Sequence, residues 1–184
     1  TDSCEWEMYK VDGFKINYVK NTYGHYYATE NGFSDEACLL TKELNDGTLE
    51  ISKYVGNSAT CVIPDEIHGK KVTRIGDSAF KDRTELTSVT IPDSVKYIFD
   101  RAFSNCTSLE TVTIPNSVTD IYSRAFYNCT SLKEVTIPAS VTDIGDEAFG
   151  YYYDRDSWKE KKADGFKINY VNNTQGHWYA IKNG

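Results

Sequence analysis

The stretch TVTIPNSVTDIYSRAFYNCTSL (Thr111–Leu132) decides the fold, because its pattern recurs before and after it at a spacing of 23 residues. Ala-Phe pairs stand at positions 79–80, 102–103, 125–126 and 148–149, and Ile-Pro pairs at 91–92, 114–115 and 137–138. One period reads L-x-x-V-x-I-P-x-S-V-x-x-I-x-x-x-A-F-x-x-C-x-x. A pattern held in register over successive periods indicates a repeat architecture rather than an irregular domain.

A single period is too short to bury its own apolar side, so successive periods must stack on one another. Within each period, V-x-I alternates β-branched residues, which predicts a strand with one buried face. Proline follows directly and ends the strand because it has no N–H to donate. The S-V-x-x-I segment re-enters the core, and A-F-x-x-C places small and large side chains on the far side. We therefore predict a β-rich (α/β-type) solenoid of about five coils, with each Phe ring lying on the next.

Two cysteines, Cys106 and Cys129, occupy the same column of this repeat. A cysteine in a packed column behaves as a small buried hydrophobic residue, and the preceding coil places Arg83 there, so the thiol is not essential. Cys61 aligns with the column of Val89 and is predicted to lie in the core as well. The chain has five cysteines, an odd number in a chain large enough to fold without staples. We predict that Cys106 and Cys129 are reduced and buried.

A longer repetition frames the repeats, because DGFKINYVKNTYGHYYATENG (Asp12–Gly32) returns as DGFKINYVNNTQGHWYAIKNG (Asp164–Gly184). Asp-Gly followed by FKINYV predicts a turn and a strand. The residues that follow predict a short helix, N-capped near Thr22 and Thr174 and stopped by Asn-Gly. Units of this kind would cover the ends of a solenoid, which otherwise present core and an open strand edge.

The resulting division of the chain is an N-terminal aromatic cap unit at 1–43, a solenoid at 44–150 and a C-terminal cap unit at 151–184. Two interpretations of the duplicated unit stay open: one period of a tandem array in a longer protein, or one domain with two homologous caps. The first unit would also suit the far end of a preceding array, so its docking place is open. Tyr151–Asp154 (YYYD) is interpreted as packing between cap and solenoid, with a binding site as the alternative.

The repeats resemble the BspA-like (Treponema pallidum-type) family of bacterial leucine-rich repeats. The stretches that carry the resemblance are SVTIPDSVKYIFDRAF, TVTIPNSVTDIYSRAFYNCTSL and EVTIPASVTDIGDEAF, with an entry stretch at 46–80. Together they cover about residues 44–150, and similar strand–helix tails close many arrays of this family. The resemblance implies a secreted or cell-surface bacterial protein that is adhesive or scaffolding and has no catalytic residues.

Composition and motifs argue against several other classes of function. A formal charge of −7 and a pI of about 5.0 argue against a nucleic-acid surface, and the lack of any apolar run near 18 residues argues against membrane insertion. The chain has no C-x-x-C pair, H-E-x-x-H, G-x-S-x-G or phosphate-binding loop. His25 and His177 are equivalent positions of two distant units rather than one site. We therefore expect no enzyme activity, no cofactor and no metal.

The repeat breaks its own pattern at one column. The column that holds Gly76 and Gly145 carries Phe99 and Tyr122 in the two middle coils. Two positions later the same coils place arginines, with a further tyrosine close by. Exposed aromatic residues with arginine are typical anchors of binding surfaces, and the alternative is local packing under a neighbouring loop or cap. The candidate partner-binding residues are Tyr97, Phe99, Arg101, Tyr122 and Arg124.

These observations favour two hypotheses of function. The first is an extracellular or cell-surface module that binds a protein or glycan partner on a cell or matrix surface through a rigid repeat surface. The second is a purely structural spacer in a tandem multidomain array, in contact with neighbouring copies of the same module. A contiguous aromatic patch on the surface favours binding, whereas a uniform polar cover favours the spacer.

Overall fold

The computed structural model describes residues 38–183, so the predicted N-terminal cap unit lies outside the described residues except for 38–43. The described part of the chain contains fourteen short strands and one helix, α1 (Gln175–Asn183). The strands are β1 (Leu39–Glu43), β2 (Leu49–Tyr54), β3 (Thr60–Val62), β4 (Glu66–Ile67), β5 (Lys70–Ile75), β6 (Ser88–Thr90), β7 (Tyr97–Ile98), β8 (Thr111–Thr113), β9 (Asp120–Ile121), β10 (Glu134–Ile137), β11 (Asp143–Ile144), β12 (Tyr151–Asp154), β13 (Lys159–Lys162) and β14 (Lys167–Tyr170).

The V-x-I segments form a parallel sheet in the order β3-β6-β8, as the sequence predicted. Cys61 pairs with Val89, and Val89 pairs with Val112, so equivalent residues of successive repeats lie side by side. In the following repeat, β10 pairs in parallel with β14. These strands end before the prolines, whose carbonyls accept the N–H three residues later, as Pro92 does from Val95 at 3.1 Å. The proline thus ends the strand and begins the turn.

A second sheet forms where the sequence predicted only a return of the chain to the core. Strands β2, β5, β7, β9 and β11 lie side by side in parallel, and β1 pairs antiparallel with β2 at one edge. Ile75 pairs with Ile98, and Ile98 with Ile121, and all three side chains are fully buried. Because successive residues of a strand point to opposite faces, the neighbours of these isoleucines point outward. We call this outward side the outer face of the second sheet.

The residues that lengthen one repeat around HGKKV fold into a hairpin. β4 pairs antiparallel with β5 across a two-residue turn. The turn residues His68 and Gly69 have φ of 52° and 74°, the left-handed pair that a type I′ turn requires. The hairpin therefore absorbs the extra length while β5 keeps its place in the second sheet.

The A-F-x-x-C segments add a third row of hydrogen bonds between repeats. The N–H of Phe103 donates to the carbonyl of Ala125 at 2.7 Å, and Phe126 donates in the same way to Ala148 at 2.8 Å. The backbone reaches these partners by turning through left-handed residues on this side, which are Ser78, Asp82, Arg101, Asn105, Arg124, Asn128 and Glu147.

The asparagine of the repeated NCTSL has a structural reason. Asn128 donates from its Nδ2 to Asn105 Oδ1 at 2.9 Å, and Asn105 donates likewise to Asp82 Oδ1 at 2.7 Å. Asn and Asp tolerate a left-handed backbone better than other residues with a side chain. The residues of this column therefore tolerate the left-handed backbone, and their side chains link three repeats by hydrogen bonds.

Aromatic rings stack through the centre of the core. The ring centroids are 4.8 Å apart from Phe80 to Phe103, 4.9 Å from Phe103 to Phe126 and 4.8 Å from Phe126 to Phe149. Tyr54 extends the column at 5.0 Å from Phe80. Phe103 and Phe126 are 0% and 1% exposed. The prediction that each Phe lies buried on the Phe of the next repeat is confirmed.

The buried, reduced state predicted for the two cysteines is also confirmed. Cys106 and Cys129 are free thiols in the core, and each donates from Sγ to a carbonyl of the preceding repeat, Phe80 at 3.1 Å and Phe103 at 3.2 Å. Burial raises the pKa of Cys106 to about 12 and that of Cys129 well above its usual value. Cys61, 1% exposed, lies in the core as predicted.

The C-terminal unit contains the predicted turn, strand and helix. β14 lies beside β10, and α1 packs with Tyr179 buried against Phe149. The carbonyl of Thr174 accepts the N–H of Trp178 at 3.2 Å, as expected for the residue before a helix. Its hydroxyl, however, donates to the Val171 carbonyl rather than accepting a helix N–H.

The hairpin of β12 and β13 joins this unit to the repeats. Its strands pair antiparallel. The carbonyl of Tyr151 accepts the N–H of Asn128 at 2.6 Å, and the Tyr151 hydroxyl donates to Asn183 Oδ1 at 2.7 Å. Tyr151 therefore contacts both the repeat of Phe126 and the helix, which agrees with the packing interpretation of YYYD.

Candidate partner-binding surface

The three predicted aromatic residues lie together on the outer face of the second sheet. Tyr97 and Phe99 flank the buried Ile98, and Tyr122 follows the buried Ile121. All three rings are half-buried. The strand alternation that buries the isoleucines therefore turns these rings outward.

The rings form one continuous row. Phe99 and Tyr122, neighbours in one column, stack with ring centroids 4.7 Å apart and planes at 6°. Tyr97 lies 6.3 Å from Phe99 at an interplanar angle of 48°. We call the three rings the aromatic surface. The N–H groups of Phe99 and Tyr122 donate to the carbonyls of Ile75 and Ile98, so the backbone that carries these rings is hydrogen-bonded to the neighbouring strands.

Arg74 extends the aromatic surface, although the sequence interpretation did not single it out. Its guanidinium carbon lies 5.4 Å from the Tyr97 ring centroid and 5.9 Å from that of Phe99, within the range of cation–π contacts. Arg74 stands directly beside Tyr97 in the sheet. The sequence does contain a signal for it: Arg74 lies 23 residues before Tyr97 and therefore occupies the same column of the repeat.

The two predicted arginines have different surroundings. Arg124 forms ion pairs with Glu147 at 2.6 Å and with Glu160 at 2.7 Å, and it lies over the Tyr127 ring at 5.4 Å. The hydrogen bond that Arg124 donates to Glu147 raises the pKa of Arg124. Arg101 is exposed and makes no side-chain hydrogen bond or ion pair within residues 38–183. The charge of Arg124 is thus paired with carboxylates of the chain itself, whereas the charge of Arg101 faces solvent.

The glycines at both ends of the aromatic column have a steric reason. A Cβ at Gly145 would overlap the backbone of Tyr122 and Ser123, and a Cβ at Gly76 would lie 2.9 Å from the Ile51 carbonyl oxygen. A side chain is therefore excluded at these two positions. The two middle repeats carry rings at the same column.

Carboxylates surround the far end of the aromatic surface. Asp120 stands beside Tyr97 in the sheet, and Asp143 stands beside Asp120. Burial raises the pKa of Tyr122, and the neighbouring Asp120 and Asp143 charges raise it further. The outer face therefore changes from cationic at Arg74 to anionic at Asp143.

A cleft of about 540 Å³ lies in the C-terminal unit, between the β12–β13 hairpin, β14 and α1. Its walls come from residues that build this unit, such as Tyr151, Phe166 and Ile181. Among residues 38–183, no three His, Cys, Asp or Glu side chains are grouped so as to hold a metal ion. In the same part of the chain, no helix has the length and apolar character needed to cross a bilayer.

Short parallel strands, isoleucine and leucine columns and a stacked phenylalanine core define a leucine-rich-repeat protein. Residues 30–157 match the BspA type leucine rich repeat region in six copies. The chain belongs to this family.

Solved structures of leucine-rich-repeat proteins are similar to the chain. The Treponema pallidum leucine rich repeat protein is 30% identical, with a TM-score of 0.58 over 59% of this chain and 51% of its own. A Bacteroides capillosus protein is 28% identical, with a TM-score of 0.59 over 73% of this chain and 95% of its own. A Bacteroides ovatus protein is 25% identical, with a TM-score of 0.54 over 76% and 43%. The chain thus spans about half the length of the T. pallidum protein. No curated protein matches the sequence.

Proposed function

We propose that this chain is a non-catalytic binding or adhesion module for a protein or glycan, part of a larger secreted or cell-surface bacterial protein. The observation that carries the proposal is the aromatic surface. Tyr97, Phe99 and Tyr122 are rings that the core does not need, since Ile98 and Ile121 fill it on the same strands. Repeat proteins of this kind use their extended faces for binding.

The rigid placement of these rings supports a binding role. Tyr and Phe rings offer a large contact area with only two side-chain torsions to fix. Phe99 and Tyr122 already lie stacked at 4.7 Å, so a partner would order little on contact. Preorganisation of this kind raises affinity by reducing the entropy lost on binding.

We also propose the architecture in which this surface is held: a solenoid of 23-residue coils over 44–150, with 151–184 as its cap. Two contacts support it. β14 pairs in parallel with β10 of the last repeat, and Tyr179 covers the Phe149 ring at the end of the stacked column. Without such a unit the last repeat would present its core and a strand edge to solvent.

A direct test is binding of the intact chain to an immobilised panel of extracellular-matrix proteins and to a glycan array. Wild-type protein is compared with Tyr122→Ala and with Tyr153→Ala, whose ring is 43% exposed in the β12–β13 hairpin. We expect to find a ligand that binds wild-type protein and Tyr153→Ala but does not bind Tyr122→Ala. The proposal would be contradicted if every ligand found bound the two variants with equal affinity, or if neither panel contained a ligand.

The spacer function has its own supporting observation. Six of the seven large hydrophobic residues exposed within residues 38–183 belong to the C-terminal unit, which are Tyr153, Trp158, Tyr170, Val171, Trp178 and Ile181. Exposed apolar residues concentrated at one end suit contact with a neighbouring module. Sedimentation velocity over a range of concentrations tests this. End-to-end contact predicts self-association that Trp178→Glu abolishes and Tyr122→Ala leaves unchanged.

A further inference from the structure

We infer, on the basis of the proposed binding function, that the aromatic surface takes an extended peptide lying along the stack of repeats. The peptide places an acidic side chain at Arg74, an apolar side chain on the rings and a basic side chain at Asp143. The sequence pattern it presents is an acidic residue and a basic residue four positions apart, with an apolar residue midway between them.

The order of charges comes from the register of the second sheet. Arg74 of β5 pairs with Tyr97 of β7, Tyr97 pairs with Asp120 of β9, and Asp120 pairs with Asp143 of β11. These four residues form one row across the outer face. From Arg74 to Asp143 the charge runs from positive through aromatic to negative, and on the other side of Arg74 the row continues with Glu50 of β2.

The two ends of the row are open to an outside charge. Arg74 is partly exposed and makes no ion pair within the described part of the chain. Glu50 stands beside it in the sheet and the Asp46 charge acts on it, but neither closes an ion pair with it. Its Nε is buried, so a partner would pair with the terminal nitrogens of the guanidinium. At the other end, Asp143 is exposed, and no side chain from that part of the chain is hydrogen-bonded to it. By contrast, the Arg124 charge is already paired with Glu147 and Glu160.

The length of the row matches a short stretch of extended peptide. Neighbouring strands lie about 4.8 Å apart, so the three steps from Arg74 to Asp143 span about 14 Å. An extended chain rises about 3.3 Å per residue and points residues i, i+2 and i+4 to one face, which spans about 13 Å. Three successive side chains on one face of the peptide therefore reach the cation, the rings and the carboxylates.

The middle of the row favours an apolar side chain. Beside Tyr97 in this row, Phe99 and Tyr122 stack as a ridge between Gly76 and Gly145. The Glu50 carboxylate fills the space at Gly76, since a Cβ there would lie 3.0 Å from its Oε1. An apolar residue laid on this ridge is removed from water without losing a hydrogen bond. A neutral glycan could use the rings but would not use opposite charges at the two ends, and for this reason we favour a peptide.

The test is selection of phage-displayed random heptapeptides on the intact chain, repeated on three variants. Wild-type protein should enrich peptides with opposite charges at i and i+4 and an apolar residue at i+2. Arg74→Glu should enrich peptides with basic residues at both positions, and Asp143→Lys peptides with acidic residues at both. Phe99→Ala/Tyr122→Ala should enrich none of these. For a single synthetic peptide, reversing one end of the row should change affinity about two- to fivefold, as expected for exposed ion pairs.

The outcomes separate the inference from the function on which it rests. Enrichment that depends on the two rings without any charge order would overturn the inference and leave the binding function standing. Enrichment that is the same on wild type and on Phe99→Ala/Tyr122→Ala would overturn the peptide inference. In that case the protein panel and glycan array decide the binding function on their own. Circular dichroism of each variant checks that the fold is kept, which is expected because the substituted side chains all lie on the outer face.

Discussion

The backbone N–H of Phe149 donates a hydrogen bond of 3.0 Å to the hydroxyl oxygen of Tyr179, and the two rings meet edge to face at 82°. In the preceding repeats the equivalent N–H donates to an alanine carbonyl of the next repeat, as Phe126 does to Ala148. Phe149 is in the last repeat, so the tyrosine hydroxyl takes the place of that carbonyl. Tyr179 thus covers the end of the ring column and satisfies its last N–H.

Tyr179→Phe should therefore destabilise the protein while it preserves the ring contact. The substitution leaves the Phe149 N–H buried without a partner, which costs about 1–3 kcal/mol. The free energy of unfolding is measured by urea denaturation. Tyr153→Phe is the matched control, because Tyr153 is 43% exposed and its hydroxyl is expected to contribute little. Equal stability of the two variants would show that the Phe149 hydrogen bond is unimportant.

Stability should fall at alkaline pH. Burial raises the pKa of Cys106 from 9.0 to about 12 and that of Tyr179 from 10.0 to about 12. The unfolded chain ionises these groups at lower pH than the folded chain does. Their contribution to the free energy of unfolding is therefore fully present below about pH 9 and is lost as the pH rises to about 12. Denaturation curves across this range should show the fall, and Tyr179→Phe should make it shallower. A flat profile would contradict the burial of these groups.

Loss of one ring from the core column should cost far more than loss of one from the outer face. Phe126→Ala removes a ring that is 1% exposed and should lower the free energy of unfolding by about 3–5 kcal/mol. Phe99→Ala removes the same atoms from a half-buried position and should cost less than half as much. Both values come from chemical denaturation. Similar costs for the two variants would mean that the column is not the core of the fold.

The two core thiols should resist alkylation in the folded protein. A thiol reacts as its thiolate, and burial raises the pKa of both Cys106 and Cys129. Iodoacetamide labelling at neutral pH, followed by peptide mass spectrometry, should find both residues unlabelled in the native protein. After denaturation both should label fully. Cysteines that stay blocked after denaturation would indicate a disulfide between them.

Much of the fold was predictable because the same residue types recur at each core position of successive repeats. Phe103 and Phe126 fill one column in successive repeats, Cys106 and Cys129 fill another, and both columns are buried. The second sheet was not predicted, since its strands are as short as Tyr97–Ile98. A strand of two residues is too short to show the alternation of buried and exposed residues by which strands are predicted. The left-handed backbone at Asn105 was likewise not predicted, because an asparagine in a repeated column does not by itself indicate a positive φ.

The candidate site was predictable in part for the same reason. Phe99 and Tyr122 depart from a repeated column, and this departure is visible in the sequence. The partners of Arg124 include Glu160, which lies in a hairpin outside the repeats, so no periodicity could place it there. The role of Arg74 required knowledge that its strand lies beside that of Tyr97.

The binding role of the aromatic surface is tested most directly by the affinity of one identified ligand for four forms of the chain. These are wild type, Tyr122→Ala, Arg101→Ala and Tyr153→Ala, each measured at low and at high salt. We expect Tyr122→Ala to weaken binding about tenfold or more at both salt concentrations, because buried aromatic anchors carry most of the affinity. Arg101→Ala should have a smaller effect that disappears at high salt, and Tyr153→Ala should have none. A ligand that binds Tyr122→Ala as tightly as wild type would contradict the proposed surface.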